Sequence, residues 1–303
     1  MQLTEARCKL FAIGGGEEKE GDCAVLKEFV RMAKGPKARL VVMTVATDEP
    51  EESGREYVDA FKSLGVDEVC WVDVSSRGDA ADEAALGLIK KATGLYFTGG
   101  DQLHVTSLLG GSEMQRLIHE RYEKGMVVGG TSAGAAMMSN SMIIGGGSDE
   151  SPRFEGVELG PGMDLIVGAM IDTHFSQRGR HGRLLTAVAH YPQDLGIGID
   201  ENTAAVINAT EMTVVGEGSV TVIDGGGMTY TTLPYIERGE GLTLHDVKVH
   251  VLSAGAKFDL ANRRPVPDDA RAKAGRSSEG GQVAAKKPKG SGAAKKKAGS
   301  KGR

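Results

Sequence analysis

The sequence predicts a mixed α/β chain built on a mainly parallel sheet with helices on both faces, and three observations carry that reading. Short, continuously apolar runs alternate with longer amphipathic stretches. Most runs stop at glycines or at a small polar residue. After Leu195 the rhythm changes to short alternating runs. Continuous apolar strands belong to a parallel sheet buried on both sides, whereas alternation suits antiparallel strands.

The elements follow in order. KLFAI ends at Gly14-Gly15-Gly16, ARLVVMTVA stops before Thr47, EVCWVDV before Ser75, GLYFTGG closes on Gly99-Gly100, and MVVGG on Gly129-Gly130. Between them DCAVLKEFVRMAK, REYVDAFKSLG and DEAALGLIKKA carry the helical period. LGIGIDE, TAAVIN, EMTVVG, SVTVIDG, TYTTL and VKVHVLSAG then predict antiparallel strands added at one edge of the sheet. Gly14-Gly15-Gly16 lacks the spacing of a dinucleotide loop, and Glu17 and Glu18 follow where a phosphate needs positive potential, so it reads as a tight turn.

Composition sets the outer limits. The 303 residues are 40% hydrophobic and 25% charged, enough for a sizeable core without staples. Three cysteines, Cys8, Cys23 and Cys70, form no C-x-x-C pair, which argues for buried thiols in a reducing compartment and against disulfides or a zinc site. No apolar run reaches the ~18 residues of a membrane span, and the N-terminus has no secretory pattern, so the chain reads as cytoplasmic with no membrane partner. The net charge of −5 is polarised: residues 271 to 303 hold eleven Lys/Arg and one Glu, net +10, leaving 25 basic and 40 acidic residues, net −15, on the rest. A catalytic unit over 1–264 and a disordered basic tail over 265–303 are expected, the tail as a solvated extension in preference to a nucleic-acid arm.

Gly130-Thr131-Ser132-Ala133-Gly134 reads as G-x-S-x-G between the strand MVVGG and the helix-capable AGAAMMS. In that context it is a nucleophile elbow, a sharp turn where glycine and alanine neighbours leave room for the bend and for substrate. The Ala133 amide is then one oxyanion donor. A structural or phosphate-binding glycine turn is the competing reading, so other residues must decide.

A serine hydroxyl needs a base, and the base an orienting carboxylate. His119 and His190 fall in helical patterns, and His245 and His250 in the late strands. His174 stands out, closing DLIVGAMIDTH where the arginine-rich FSQRGRHGRL begins, with His104 and His181 as further choices. Asp200 and Glu201 end the strand LGIGI, and alternation alone does not say which meets the histidine. Arg178, Arg180 and Arg183 suit bidentate capture of substrate carboxylates, although on one regular helix they would not all face one pocket, and exposed helix charges are the competing reading.

FTGGDQ, GGTSAGAAMMS, DTHFSQRGRHGRL and GIGIDENTA, in that order and at these spacings, resemble the serine peptidase family that contains cyanophycinase and aspartyl dipeptidase, over about residues 5 to 262. The resemblance implies a flavodoxin-like, doubly wound fold related to class I glutamine amidotransferases, a homodimer, and neither cofactor nor metal. It makes Ser132 the nucleophile, His174 the base and Glu201 its orienting carboxylate. The oxyanion falls between Ala133 and an amide of Gly99 or Gly100, and Gln102, Asp172, Thr173, Arg178, Arg180 and Arg183 form the pocket. Thr173 stands where cyanophycinases carry Gln.

Cyanophycin is polyaspartate with arginine joined to each side-chain carboxylate, and the resemblance implies an exopeptidase that releases β-Asp-Arg units. On that reading the arginines clamp terminal carboxylates, while Asp172, or Asp149 and Glu150 of GGGSDESPRFEG, receives the substrate guanidinium. An α-aspartyl dipeptidase is the nearest alternative, and a binding protein on an inactive hydrolase scaffold a more distant one. The order Ser, His, Glu sets aside the lipases and esterases of the α/β-hydrolase type.

Overall fold

The computed structural model describes residues 9–148 and 151–267; Cys8, Asp149, Glu150 and the segment from Asp268 onward lie outside the described residues. The chain opens with β1 (Lys9–Ile13), α1 (Ala24–Met32), β2 (Arg39–Met43), α2 (Pro50–Ser63), β3 (Glu68–Val72), α3 (Glu83–Lys91), β4 (Gly94–Phe97), α4 (Gln102–Leu109), α5 (Glu113–Glu123) and β5 (Val127–Thr131). Local signals set these boundaries. Pro50 opens α2, and the Asp82, Asp101 and Ser112 side chains accept backbone amides at the starts of α3, α4 and α5.

Strands β3, β2, β4, β5 and β1 lie side by side in that order, every pairing parallel. Side chains alternate across each strand, so one run feeds two cores. Phe11, Ile13, Leu40, Val42 and Tyr96 pack with Leu26 and Phe29 of α1 and Tyr57 and Phe61 of α2. Leu10, Ala12, Val41, Met43, Leu95 and Phe97 pack on the other face with Leu86, Ile89, Val105, Leu109, Leu117 and Ile118 of α3, α4 and α5. This two-sided burial is why the strands read as unbroken apolar runs.

The chain continues with α6 (Ala133–Ala136), β6 (Ser141–Gly145), β7 (Glu158–Pro161), β8 (Ala169–Asp172), α7 (His181–His190), β9 (Leu195–Ile199), β10 (Thr203–Asn208), β11 (Glu211–Gly216), β12 (Ser219–Asp224), β13 (Tyr230–Thr231), β14 (Leu244–His245), β15 (Lys248–Ser253), β16 (Lys257–Asp259) and β17 (Arg264–Val266). Strands β10, β11, β16 and β17 extend the large sheet antiparallel beyond β1, so it is parallel through five strands and antiparallel through four.

Two expectations need correction. The late strands do not all join one edge: β9, β12 and β15 form a second sheet with β8, in which β9 runs parallel to β8. The reason is the crossover through α7, which returns the chain in the same direction. The glycines of LGIGI mark a packing face, since a Cβ on Gly196 would lie 2.9 Å from Leu184 and Val188, and one on Gly198 2.4 Å from the Phe175 ring. Pro265 and Val266, assigned to the tail, instead complete β17, an edge strand where a proline's missing N–H is tolerated.

Among the described residues no helix is long and apolar enough to cross a membrane. Cys23 is buried and Cys70 half-buried, both as free thiols. Gly198→Ala is expected to cost about 1–3 kcal/mol through overpacking against Phe175. Thermal denaturation checks this, and an unchanged midpoint would contradict the packing.

Candidate active site

Three loops at the carboxyl ends of β5, β8 and β9 meet at Ser132. The serine follows β5 directly, with φ 52° and ψ −113°, a backbone region that few non-glycine residues occupy. Its neighbours are small of necessity: a Cβ on Gly130 would lie 2.2 Å from the Gly134 carbonyl oxygen, and one on Gly134 2.5 Å from that of Phe97. The helix expected after the elbow is only the four residues of α6, because the Met137 and Ser139 carbonyls turn outward to accept the Met163 and Asp164 amides.

Ser132 Oγ lies 2.9 Å from His174 Nε2, and His174 Nδ1 lies 2.7 Å from Glu201 Oε1. In the tautomer these contacts select, the serine hydroxyl donates to Nε2 and Nδ1–H donates to the glutamate. Burial pushes the His174 imidazole below its ordinary range; the Glu201 hydrogen bond opposes this, and Arg178 and Arg180 add to the lowering. A neutral imidazole beside the hydroxyl is the form that accepts a proton.

Geometry separates Asp200 from Glu201. The Asp200 carboxylate accepts the Ser176 and Ser219 amides, each at 3.0 Å, and braces the two loops. Glu201 alone meets the histidine, its own amide donating to Gln177 Oε1 at 3.1 Å. Neither other candidate histidine reaches the serine. His104 lines a separate cavity with Asp48 and Asp73, and His181 packs at a tilt against Phe175 with ring centroids 4.5 Å apart.

Beside the serine, Arg178, Arg180 and Arg183 line one cavity of about 300 Å³ with Gly100, Gln102 and Thr173. All three arginines converge because Arg178 and Arg180 precede α7 and only Arg183 lies on it, so regular helical spacing does not apply. Asp172, expected to receive a substrate guanidinium, is already engaged. It is buried, with Oδ2 accepting Arg183 Nε at 2.7 Å, Oδ1 accepting the Arg183 Nη2 amine, and Arg180 Nη1 at 3.4 Å. Arg180 Nη1 also donates to the Thr173 carbonyl at 2.7 Å. Burial, then crowding by Arg183, pushes the Arg180 guanidinium down to about 10, so it stays charged at neutrality.

The remaining predicted residues line or brace this space. Gln102 Nε2 donates to the Ile143 and Ile144 carbonyls at 2.9 and 2.8 Å, holding β6 as the cavity wall. Gly99 packs against Ser132, where a Cβ would come 3.5 Å from the serine Cβ. Gly100, at φ +138°, backs onto the Ala46 carbonyl and lines the cavity with Ala133. Asp149 and Glu150 lie outside the described residues.

A second cleft, about 240 Å³, opens on the other side of Ser132 and His174, lined by Gly15, Gly16, Glu17, Lys19, Glu56 and Tyr57. Sequence reasoning saw a turn at Gly14-Gly15-Gly16 but not its role. The His174 ring lies where a Gly15 side chain would begin, 2.2 Å from an ideal Cβ, so the absent side chain makes the histidine's berth. The motif's failure as a phosphate loop was the available signal.

Comparison with known proteins gives the family. Residues 10–215 match the model of peptidase family S51. The chain is 36% identical over 260 residues to a protein of Trichormus variabilis named cyanophycinase, covering 85% of this chain and 87% of that one. It is 37% identical over 253 residues to the cyanophycinase of Synechococcus elongatus, covering 83% and 79% respectively. Its fold is similar to that of a peptidase from an acI-B1 Actinobacterium, known as a crystal structure, at a TM-score of 0.61 and 22% identity, covering 84% of this chain and 98% of that one. On the family match and these identities, the chain belongs to peptidase family S51 and is a serine-type peptidase.

Proposed function

We propose that this chain is a cyanophycinase-type exopeptidase that hydrolyses multi-L-arginyl-poly-L-aspartate to β-Asp-Arg dipeptides through an acyl-enzyme on Ser132. The observation that carries the reading is the charge of the cavity beside the serine: Arg178, Arg180 and Arg183 line it with a single carboxylate, Asp172, which pairs with Arg180 and Arg183, leaving two positive charges in excess. A terminal unit of the polymer carries two free carboxylates, one from the aspartyl backbone and one from its arginine. Relatives named cyanophycinase at 36% and 37% identity support the same substrate.

The chemistry follows from the contacts. Ser132 Oγ attacks an aspartyl backbone carbonyl as His174 Nε2 takes its proton, while Glu201 stabilises the imidazolium and keeps the ring oriented. The oxyanion sits between the Ala133 amide, which as a first helical position has no intrahelical partner, and an amide of the Gly99-Gly100 turn. His174 then returns the proton to the leaving amine, and water hydrolyses the ester by the same route. The substrate guanidinium is left to acceptors other than Asp172, which its own arginines occupy.

An α-aspartyl dipeptidase is the second reading, favoured by Thr173, whose side chain is shorter than the Gln of cyanophycinases. Incubation with Asp-X dipeptides and with cyanophycin separates the two. Counted from β2, the strand order 2-1-3-4 with β1 in the fifth place supports a flavodoxin-like core related to class I glutamine amidotransferases. The family likeness supports a cytoplasmic homodimer.

Ser132→Ala should lower kcat by ~10⁶-fold, as loss of a triad serine does, with the fold retained. Product analysis on cyanophycin checks this, and undiminished dipeptide release would exclude the mechanism. Because the His174 pKa is lowered, the acid limb of kcat/KM should lie below about pH 6.5, the unperturbed histidine value. Arg178→Met removes a charge that lowers that pKa, so the limb should move to higher pH while KM rises roughly 10- to 100-fold from the lost carboxylate contact. Glu201→Gln should move the limb the other way and cut kcat by ~10⁴-fold. Deleting residues 268–303 should leave turnover unchanged.

A further inference from the structure

Glu17 is a buried carboxylate for which the mechanism above has no use. It is 5% exposed, and among the described residues it forms no ion pair. Three hydroxyls hold it instead. Oε1 accepts from Tyr57 at 2.5 Å and from Tyr96 at 2.7 Å, and Oε2 accepts from Thr131 at 2.6 Å. A carboxylate taken out of water without a cation is costly, and three short hydroxyl bonds offset only part of that cost. Burial first, then the charge of Glu17, holds the Tyr57 and Tyr96 hydroxyls well above the usual tyrosine range, so they remain donors.

What these bonds connect gives the carboxylate its meaning. Thr131 is the residue before the nucleophile, Tyr96 lies on the neighbouring strand β4, and Tyr57 on α2. Glu17 itself closes the turn whose backbone carries the other catalytic loops: Ile13, Gly14 and Gly15 offer their carbonyls to the amides of Ser132, His174 and Asn202 at 3.1, 2.7 and 2.9 Å. The next amide, of Glu18, donates to the Asn202 side chain at 3.2 Å. The His174 ring rests on Gly15, and Gly16 faces the Glu201 carboxylate, 3.2 Å from where a Cβ would stand.

We propose that Glu17 is a positioning residue for the catalytic triad: by tying the Gly14–Glu17 turn to Thr131, Tyr96 and Tyr57, it fixes the His174 ring against the Ser132 hydroxyl. The inference rests on the Ser-His-Glu reading of the site. It touches neither the arginine cavity nor the reacting atoms, so its effect belongs in kcat. Displacements of about 1 Å in such a site cost as much as 100-fold in rate.

Glu17→Ala should therefore lower kcat roughly 10- to 100-fold while KM stays within about two-fold, the separation expected when orientation is lost and binding kept. The rate at which a small phosphonylating reagent labels Ser132 should fall by the same factor, since that reagent needs no arginine cavity. Glu17→Gln preserves all three contacts, its amide oxygen accepting from both tyrosines and its amide N–H donating to the Thr131 hydroxyl oxygen, and should restore most of the rate. A folded Glu17→Ala enzyme with kcat within two-fold of the native value overturns the proposal. So does a loss confined to KM, or a Gln variant as slow as the Ala one. Should Glu17→Ala fail to fold, Thr131→Val removes a single tie and must still slow kcat and labelling several-fold; unchanged rates there overturn the proposal equally. Turnover by Ser132→Ala would sink the triad itself, whereas an inactive Ser132→Ala beside a fully active Glu17→Ala sinks only this role.

Discussion

The site depends on three successive carbonyls. Ile13 ends β1, and Gly14 and Gly15 begin the turn that follows; their oxygens accept from Ser132, His174 and Asn202 in sequence. The serine comes from the large sheet, while the histidine and glutamate come from the ends of β8 and β9 in the second sheet. No single sheet therefore fixes the triad. A short stretch of backbone belonging to none of its members spans the two sheets and sets the distance across them. Each bond contributes only about 0.5–1.5 kcal/mol net, yet all three originate within three residues, so none of the loops shifts without disturbing the others.

The same economy shapes the arginine cavity. Asp172 ends β8, two residues before His174, and its carboxylate fixes Arg183 in bidentate contact and steadies Arg180. Without it, three guanidiniums in one partly buried space would repel one another and swing outward. With it, two stay oriented and the cavity keeps a net positive charge, which adds to burial in lowering the His174 pKa. On the proposed function, substrate carboxylates entering the cavity would neutralise those charges and raise the basicity of His174 as they bind. Binding and base strength are thus coupled through Arg178 and Arg180.

Much of this was legible in the sequence, for identifiable reasons. The parallel strands were visible because two-sided burial writes itself as continuous apolar runs, and the elbow because a serine in that bend tolerates only small neighbours. His174 and the arginines were legible as residues but not as a geometry, since helical spacing argued against a shared pocket; the irregular turn before α7 removes that objection. Asp200 against Glu201 was undecidable from alternation, because the choice is made beyond the strand end, by the amides of Ser176 and Ser219. The second sheet was hidden by the alternation of LGIGI, which predicts an antiparallel edge strand, whereas its glycines serve to admit Leu184, Val188 and Phe175. Glu17 was invisible as a functional residue because its partners lie 40, 79 and 114 residues away.

The strain in the site has the same address as its bonds. Ser132, His174 and Asn202 all sit at positive φ, at 52°, 47° and 48°, and these are the three residues whose amides donate to Ile13, Gly14 and Gly15. The Ser132 conformation, φ 52° with ψ −113°, costs on the order of 1–3 kcal/mol, whereas histidine and asparagine enter positive φ more readily. A residue forced into that region turns its amide and side chain in directions an extended or helical residue does not combine: the amide faces the turn while Oγ, the imidazole or the neighbouring carboxylate faces the common centre. Relaxing any one to an ordinary φ breaks its bond to the turn and withdraws its group from the triad in one motion. The arrangement of the three groups is thus close to all-or-none, and whatever holds the turn rigid, the buried carboxylate of Glu17 included, acts on all of them at once.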